Sequence, residues 1–283
     1  MFICWGELLW DLFPSGPELG GAAANVAINL KRLGARPLLV SRVGNDPLGE
    51  QAIDTLERLG LDSSYVQRDA TAPTGTVNVD FVDGEPQYRI STQAAWDRLQ
   101  FAPEQLPPAI DIQAIVYGTL AQRTELVRSS LRRLLESRTA SCWSVCDLNL
   151  RPPFITRSGL DEAIAHADAL KMNESELQTL GDLLHVTDPV SWLFANTPVR
   201  VIAVTRQARG CSLFDRNTRV DHPGFPRLDN GDSVGAGDAF CATFAYHLVN
   251  GSRLQTIAEA ANDHARRVAS ARGAFGFVAS GPK

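Results

Sequence analysis

Lysine is nearly missing from this chain. Only three of its 27 basic residues are lysines, Lys31, Lys171 and Lys283, and none follows a glycine. This excludes the G-x-x-x-x-G-K-[ST] loop, whose lysine reaches the terminal phosphates of a nucleotide. The glycine-rich loop, HRD and DFG set is absent, and so is a G-x-G-x-x-G after the first apolar segment. The cysteines Cys4, Cys142, Cys146, Cys211 and Cys241 are odd in number and scattered, with no C-x-x-C pair. That pattern argues against a disulfide framework or a zinc site and reads as buried thiols. The five histidines have no ligand spacing. No apolar run is long enough to cross a bilayer. Met1 to Phe13 is apolar but carries Glu7 and Asp11, without a basic segment or a cleavage site. The expectation is a protein of the reducing cytoplasm with no membrane partner. A net charge of −5 argues against a nucleic-acid partner, because a phosphate backbone needs a dense basic surface.

What is present is an ordinary globular composition, 44% hydrophobic and 21% charged over 283 residues, enough to bury a sizeable core. There is no internal repeat, low-complexity segment or linker, so residues 1–283 read as a single domain. Short apolar runs alternate with helical spacing. Strands are expected at Phe2–Trp5, Leu38–Val43, Ile115–Tyr117, Trp143–Cys146, Ala169–Met172 and Val199–Val204. Helices are expected at Ala22–Leu33, from Asp46-Pro47 to Gly60, and at Glu125–Ser137, Leu160–Ala167, Glu174–Leu184 and Leu254–Arg272. This alternation predicts an α/β fold with a mainly parallel sheet covered by helices on both faces.

One stretch breaks the pattern. Thr76 to Phe81 and Gln87 to Ser91 alternate with period two around Asp83-Gly84, which predicts an antiparallel hairpin. A hairpin alone cannot bury a core, so it must lean on the main domain, a ligand or a second subunit. The expectation is a small β lid, formed mainly by about residues 12–20 and 74–97. Its exposed edges would favour a homodimer.

The most informative segment is Asp232-Ser233-Val234-Gly235-Ala236-Gly237-Asp238, followed by helical apolar spacing up to Gly251. The glycines therefore stand where a loop becomes a helix N-terminus, with unpartnered amides and a positive dipole end. Without side chains, Gly235 and Gly237 let an anion approach the backbone. Asp238 falls in the first helical turn. A carboxylate is favoured there whether or not it does chemistry, but beside an anion cradle it can also accept a proton from an attacking alcohol.

This segment resembles the C-terminal signature Asp-Thr-x-Gly-Ala-Gly-Asp of the ribokinase-like carbohydrate kinases of the phosphofructokinase B type, with Ser233 in place of Thr. Other matches follow in the family's order along nearly the whole chain. Gly20-Gly21-Ala22-Ala23-Ala24-Asn25 resembles a Gly-Gly-x-x-x-Asn sugar-binding turn. Gly6-Glu7-Leu8-Leu9-Trp10-Asp11, Asp147-Leu148-Asn149-Leu150-Arg151 and Ala94-Ala95-Trp96-Asp97 resemble fructokinase-like segments. Asn173-Glu174-Ser175-Glu176 matches Asn-x-x-Glu. Val204-Thr205-Arg206-Gln207-Ala208-Arg209-Gly210 matches Val-Thr-x-Gly-x-x-Gly, except that Gln207 replaces the first glycine.

The resemblance implies a three-layer α/β/α sandwich with a β-stranded lid and transfer of the γ-phosphoryl group of ATP to a sugar hydroxyl. It implies Asp238 as base and the amides of Gly235, Ala236 and Gly237 as the anion hole. Asp11, Gly20, Gly21, Asn25, Trp96, Asn149 and Arg151 would meet the sugar, with Trp96 either closing over it or seating the lid. Asn173, Glu176, Thr205, Gly210 and Asn262 would lie near the nucleotide. Mg²⁺ would bridge the phosphates, with Glu176 reaching it through water. Asp232 and Val234 would hold a monovalent cation such as K⁺. The segments lean toward fructokinase. A 2-keto-3-deoxygluconate kinase, a ribokinase, a nucleoside kinase or a non-catalytic sugar- or nucleotide-binding protein on the same fold are the alternatives.

Overall fold

A computed structural model describes residues 1–82, 85–106, 111–226 and 234–271. Among these, thirteen strands occur in chain order: β1 (Phe2–Trp5), β2 (Leu9–Phe13), β3 (Gly16–Gly20), β4 (Pro37–Gly44), β5 (Val66–Asp69), β6 (Gly75–Val82), β7 (Glu85–Ile90), β8 (Ala114–Gly118), β9 (Trp143–Asp147), β10 (Ala169–Asn173), β11 (Val201–Thr205), β12 (Cys211–Asp215) and β13 (Arg219–His222). The helices are α1 (Ala22–Arg32), α2 (Pro47–Arg58), α3 (Glu125–Glu136), α4 (Arg157–Ala165), α5 (Glu174–Leu184), α6 (Pro189–Asn196), α7 (Ala236–Val249) and α8 (Leu254–Ala269).

Nine strands form one sheet in the order β13-β12-β11-β10-β9-β8-β1-β4-β5. Its pairs are parallel except β11–β12 and β12–β13. Alternation along the strands explains the layers. Phe2, Cys4, Val116, Val145, Ala169 and Ala203 project to one face, where α1, α2, α7 and α8 pack. Ile3, Trp5, Ile115, Cys146, Leu170 and Ile202 project to the other, against α3, α4, α5 and α6. The fold is the expected α/β/α arrangement. α7 is apolar almost all round because α1, α8 and the sheet enclose it. All five cysteines are free and buried.

The chain winds outward from β1 through β4 to β5, then returns to β8 and continues through β9, β10 and β11. The order therefore reverses beside β1, where the carboxyl ends of strands open a crevice. A second sheet, β3-β2-β6-β7, stands over this end. The expected β segment at 12–20 begins earlier, at Leu9, because Leu9 and Trp10 are buried and Trp10 Nε1 donates to Leu48 O at 2.9 Å. Ala95 to Arg98 is a 3₁₀ turn beneath this sheet, not part of it. The strands β12 and β13 escape the apolar pattern because they end the large sheet and mix Ser212, Asp215, Arg219 and Asp221 with apolar residues.

Candidate active site

Two helices reach the crevice with a glycine at the N-cap. α2, α4, α5 and α6 each begin on a side-chain cap, from Asp46, Thr156, Asn173 and Asp188. α1 begins instead at Gly21 and α7 at Gly235, with φ 103° and 75° and no side-chain cap. A Cβ on Gly21 would run into Glu7 O, so only glycine permits this approach of α1 to the β1–β2 turn. Gly235 turns left-handed into α7, and no side-chain cap among the described residues takes up the amides of Ala236 and Gly237 in the first turn.

Asn25 on α1 donates from Nδ2 to Asp238 Oδ2 on α7 at 2.6 Å. The Gly-Gly-x-x-x-Asn turn and the Gly-Ala-Gly-Asp turn, 213 residues apart, thus meet at a single carboxylate. Asp238 is half-buried. Burial pushes its pKa up, the Asn25 bond and the Lys171 charge oppose this, and Glu7 reinforces it. Asp11 lies nearby, its carboxylate pressed against Gly20 so closely that a Cβ there would clash with Oδ2. Its pKa rises to about 7 through burial, then through the charges of Asp238 and Glu18, with Arg151 opposing. Glu7 is buried, receives the Ala22 amide at 3.4 Å, and is raised chiefly by burial.

Asn149 adopts φ 37° in the loop after β9, and Arg151 is exposed there, with Nη1 donating to Leu150 O at 3.3 Å. Asn173 and Thr205 stand side by side at the ends of β10 and β11. Asn173 caps α5 by accepting the Glu176 amide at 2.8 Å. Both Glu176 oxygens accept backbone N–H groups, from Leu150 at 2.9 Å and Asn173 at 2.8 Å, so this buried carboxylate ties the loop after β9 to α5. Gly210 has φ 80° and passes against His222 O in the β11–β12 hairpin. Gln207, where the related segments have glycine, has φ 52°, so the position demands a left-handed backbone and glutamine adopts it. Val234 precedes the α7 turn, and Asp232 lies outside the described residues.

Two of the candidate residues are buried in packing contacts. Trp96 is 0% exposed, packed with Ala94, Leu120 and Ala121 under the Arg123 guanidinium, 4.0 Å from its ring. It seats the small sheet and cannot close over a sugar in this arrangement. Asn262 is buried on α8, its amide donating to Ala258 O at 2.7 Å and Cys211 Sγ at 3.1 Å, so it fastens α8 to β12 rather than presenting that amide to a ligand.

Two further residues join the site: Lys171 belongs to no motif, and Asp147 opens the Asp-x-Asn-x-Arg segment. Lys171 is buried on β10 and donates to both oxygens of Asp147 on β9 at 3.0 Å. A Cβ on Gly237 would stand 3.2 Å from its Nζ. A lysine in the middle of the run Ala-Leu-Lys-Met-Asn was the available signal, because an unpaired charge is not tolerated in a buried strand.

The chain matches the pfkB family carbohydrate kinase model over residues 17–277. It is 32% identical to the fructokinase of Klebsiella pneumoniae over 249 residues, covering 84% of this chain and 80% of that protein. Its structure resembles that of the sugar kinase PH1459 of Pyrococcus horikoshii in complex with ATP, with TM-score 0.82, 26% identity and 98% and 94% of the two chains covered. It also resembles the fructokinase of Vibrio cholerae O395 bound to fructose, ADP and calcium ion, with TM-score 0.81, 25% identity and coverage of 96% and 94%. Glycine-begun helix ends converging on one carboxylate at the reversal of a parallel sheet agree with these matches: the chain belongs to the pfkB family of carbohydrate kinases, phosphotransferases with an alcohol group as acceptor.

Proposed function

We propose that this kinase transfers the γ-phosphoryl group of ATP to a hydroxyl of fructose, with Asp238 as the base. The observation that carries the reading is the Asn25–Asp238 contact at the glycine-begun amino end of α7. Asn25 orients the carboxylate, and its elevated pKa makes it a stronger proton acceptor than an exposed aspartate. As the hydroxyl attacks, Asp238 takes its proton while the amides of Gly235, Ala236 and Gly237 stabilise charge on the transferring group. Asp11, Gly20, Gly21, Asn149 and Arg151 stand on the side assigned to the sugar. Asn173, Thr205 and Gly210 stand on the side assigned to ATP. The small sheet acts as a lid that excludes water and limits ATP hydrolysis.

The described residues hold no cluster of His, Cys, Asp or Glu suited to direct metal coordination, and Glu176 is occupied by two backbone amides. These residues fit a Mg²⁺ that would come with ATP and would neutralise phosphate charge, with Glu176 reaching it at most through water. Asp232 and Val234 are assigned to K⁺. No helix among the described residues is long and apolar enough to cross a membrane, and the protein is assigned to the cytoplasm as a homodimer joined through the lid. A second reading, phosphorylation of an acidic sugar such as 2-keto-3-deoxygluconate, is favoured by Arg151, an exposed guanidinium without a carboxylate partner among the described residues.

A coupled ATP-to-ADP assay over fructose, 2-keto-3-deoxygluconate, ribose, glucose and adenosine, with Mg²⁺ and with or without K⁺, tests the proposal. Turnover is expected on fructose, falling by about 10³-fold in Asp238→Asn. Near wild-type turnover by that variant would remove Asp238 from the mechanism. Sugar binding without turnover of any substrate would favour a binding protein on this fold.

A further inference from the structure

Lys171 is a buried charge for which the proposed mechanism has no use. Its neighbours on β10 are Leu170 and Met172, and its side chain is 7% exposed. A lysine in such surroundings tends to lose its proton unless an anion faces it. Asp147, its register partner on β9, supplies that anion with both oxygens at 3.0 Å. Burial works against the Lys171 ammonium, but Asp147 and then Glu176 outweigh it, so the lysine stays charged. Asp147 and Lys171 follow Val145 and Ala169 by two residues, which puts both side chains on the sheet face that α7 covers. There Nζ lies 3.2 Å from the place of a Cβ on Gly237, the residue before Asp238. The ammonium therefore sits against the backbone of the first turn of α7.

The charges around Asp238 are unbalanced. Glu7 faces it from the turn after β1, Asp11 from β2 and Asp147 from β9, while Glu176 on α5 faces the Asp147–Lys171 pair. Lys171 on β10 and Arg151 after β9 are the facing cations among the described residues, and α1 contributes neutral Asn25. α7 itself adds Cys241, a thiol whose pKa burial pushes far up, and α8 adds His264, bonded to Thr243 further along α7. Arg151 is exposed on a loop, whereas Lys171 is held in place before any substrate arrives.

We infer that Lys171 is a positioning residue of the transfer reaction, its charge held under the α7 turn by Asp147 to keep Asp238 a carboxylate among its acidic neighbours. This rests on Asp238 being the base. A purely structural pin between β9 and β10 would be broken equally by losing either partner. An electrostatic role makes the two losses opposite in sign. Lys171→Met removes a cation facing Asp238 and should move the acid limb of kcat/KM to higher pH. Asp147→Asn removes an anion and should move it to lower pH. Shifts of roughly half to one pH unit are expected, and Lys171→Arg should retain the wild-type limb.

The same protonation can be followed without turnover by carboxyl ¹³C NMR of aspartate-labelled protein, taking as Asp238 the signal missing in Asp238→Asn. Opposite displacements of that titration in Lys171→Met and Asp147→Asn support the inference. Displacements of one sign, or none, overturn it. If Lys171→Met does not fold, the direction in Asp147→Asn decides: downward supports, unchanged or upward overturns. A wild-type protein that phosphorylates no sugar would sink the kinase reading alone, because the NMR titration would still answer for Lys171.

Discussion

Two buried ion pairs of similar composition lie in this molecule and do different things. Asp97 and Arg123 meet at 2.6 Å through both carboxylate oxygens, and both side chains are at least nine-tenths buried. Arg123 also donates to Ser91 O and stacks on Trp96 and Phe154, while Asp97 accepts the Ala94 amide. The Arg123 contacts to Asp97, Ser91 and Trp96 join the segment after β7 to the loop after β8. Asp147 and Lys171 are equally buried, yet Glu176 and Asp238 crowd around them and push the Asp147 pKa up, after burial itself and against the pull of Lys171. A buried ion pair is therefore not a role. The charges within reach of it decide whether it holds chain segments together or sets the protonation of a neighbour.

The hardest way to strain this comparison is to break the first pair. Arg123→Met leaves Asp97 buried and unpaired and should cost about 3–5 kcal/mol in urea unfolding, as such truncations do. Its acid limb of kcat/KM should stay in place, unlike that of Lys171→Met. A moved limb would erase the distinction drawn between the pairs.

Asp11 gives a smaller effect of opposite sign on stability. Its folded pKa of about 7 lies above the ordinary 3.8, so folding disfavours its ionised form. The resulting loss of stability begins as pH rises past about 4 and is complete above about 7. Asp11→Asn should therefore stabilise the ligand-free protein by roughly 1–3 kcal/mol at pH 8 and by nothing at pH 3, while weakening sugar binding. A thermal-shift series against pH reads the first effect and calorimetric titration with fructose the second. Equal stabilisation at both pH values would refute the electrostatic cause.

The least change is expected at Gln207, outside both pairs. Its φ of 52° is costly for glutamine and easy for glycine. Gln207→Gly should stabilise by about 0.5 kcal/mol, offset in part by the freedom glycine gains on unfolding. A denaturant midpoint lower than wild type would show that the glutamine side chain holds the hairpin.

Much of the site was legible because helix beginnings and glycine turns are local events. Gly20-Gly21 and Gly235-Ala236-Gly237 announce close backbone approach, and the apolar spacing after Asp238 announces the helix that follows. The packing of Trp96 and Asn262 was not legible for a common reason. An aromatic ring or an amide can serve a ligand or the interior equally well, and only its neighbours distinguish the two. Arg123 over Trp96 and Cys211 beside Asn262 come from segments 27 and 51 residues away, beyond any local pattern. The strands β12 and β13 were missed because, at the sheet edge, burial on one side is too weak to impose a clean alternation.

By itself the sequence determined the alternation of strands and helices, the glycine entrance to α7 and the carboxylate beside it, because periodicity and backbone freedom act over a few residues. Only the tertiary structure decided that Asn25 would grip Asp238 across 213 residues and that Lys171 would lie beneath the same turn. Charges interact through space, and it is the winding of the sheet that brings distant ones within a few ångströms of each other.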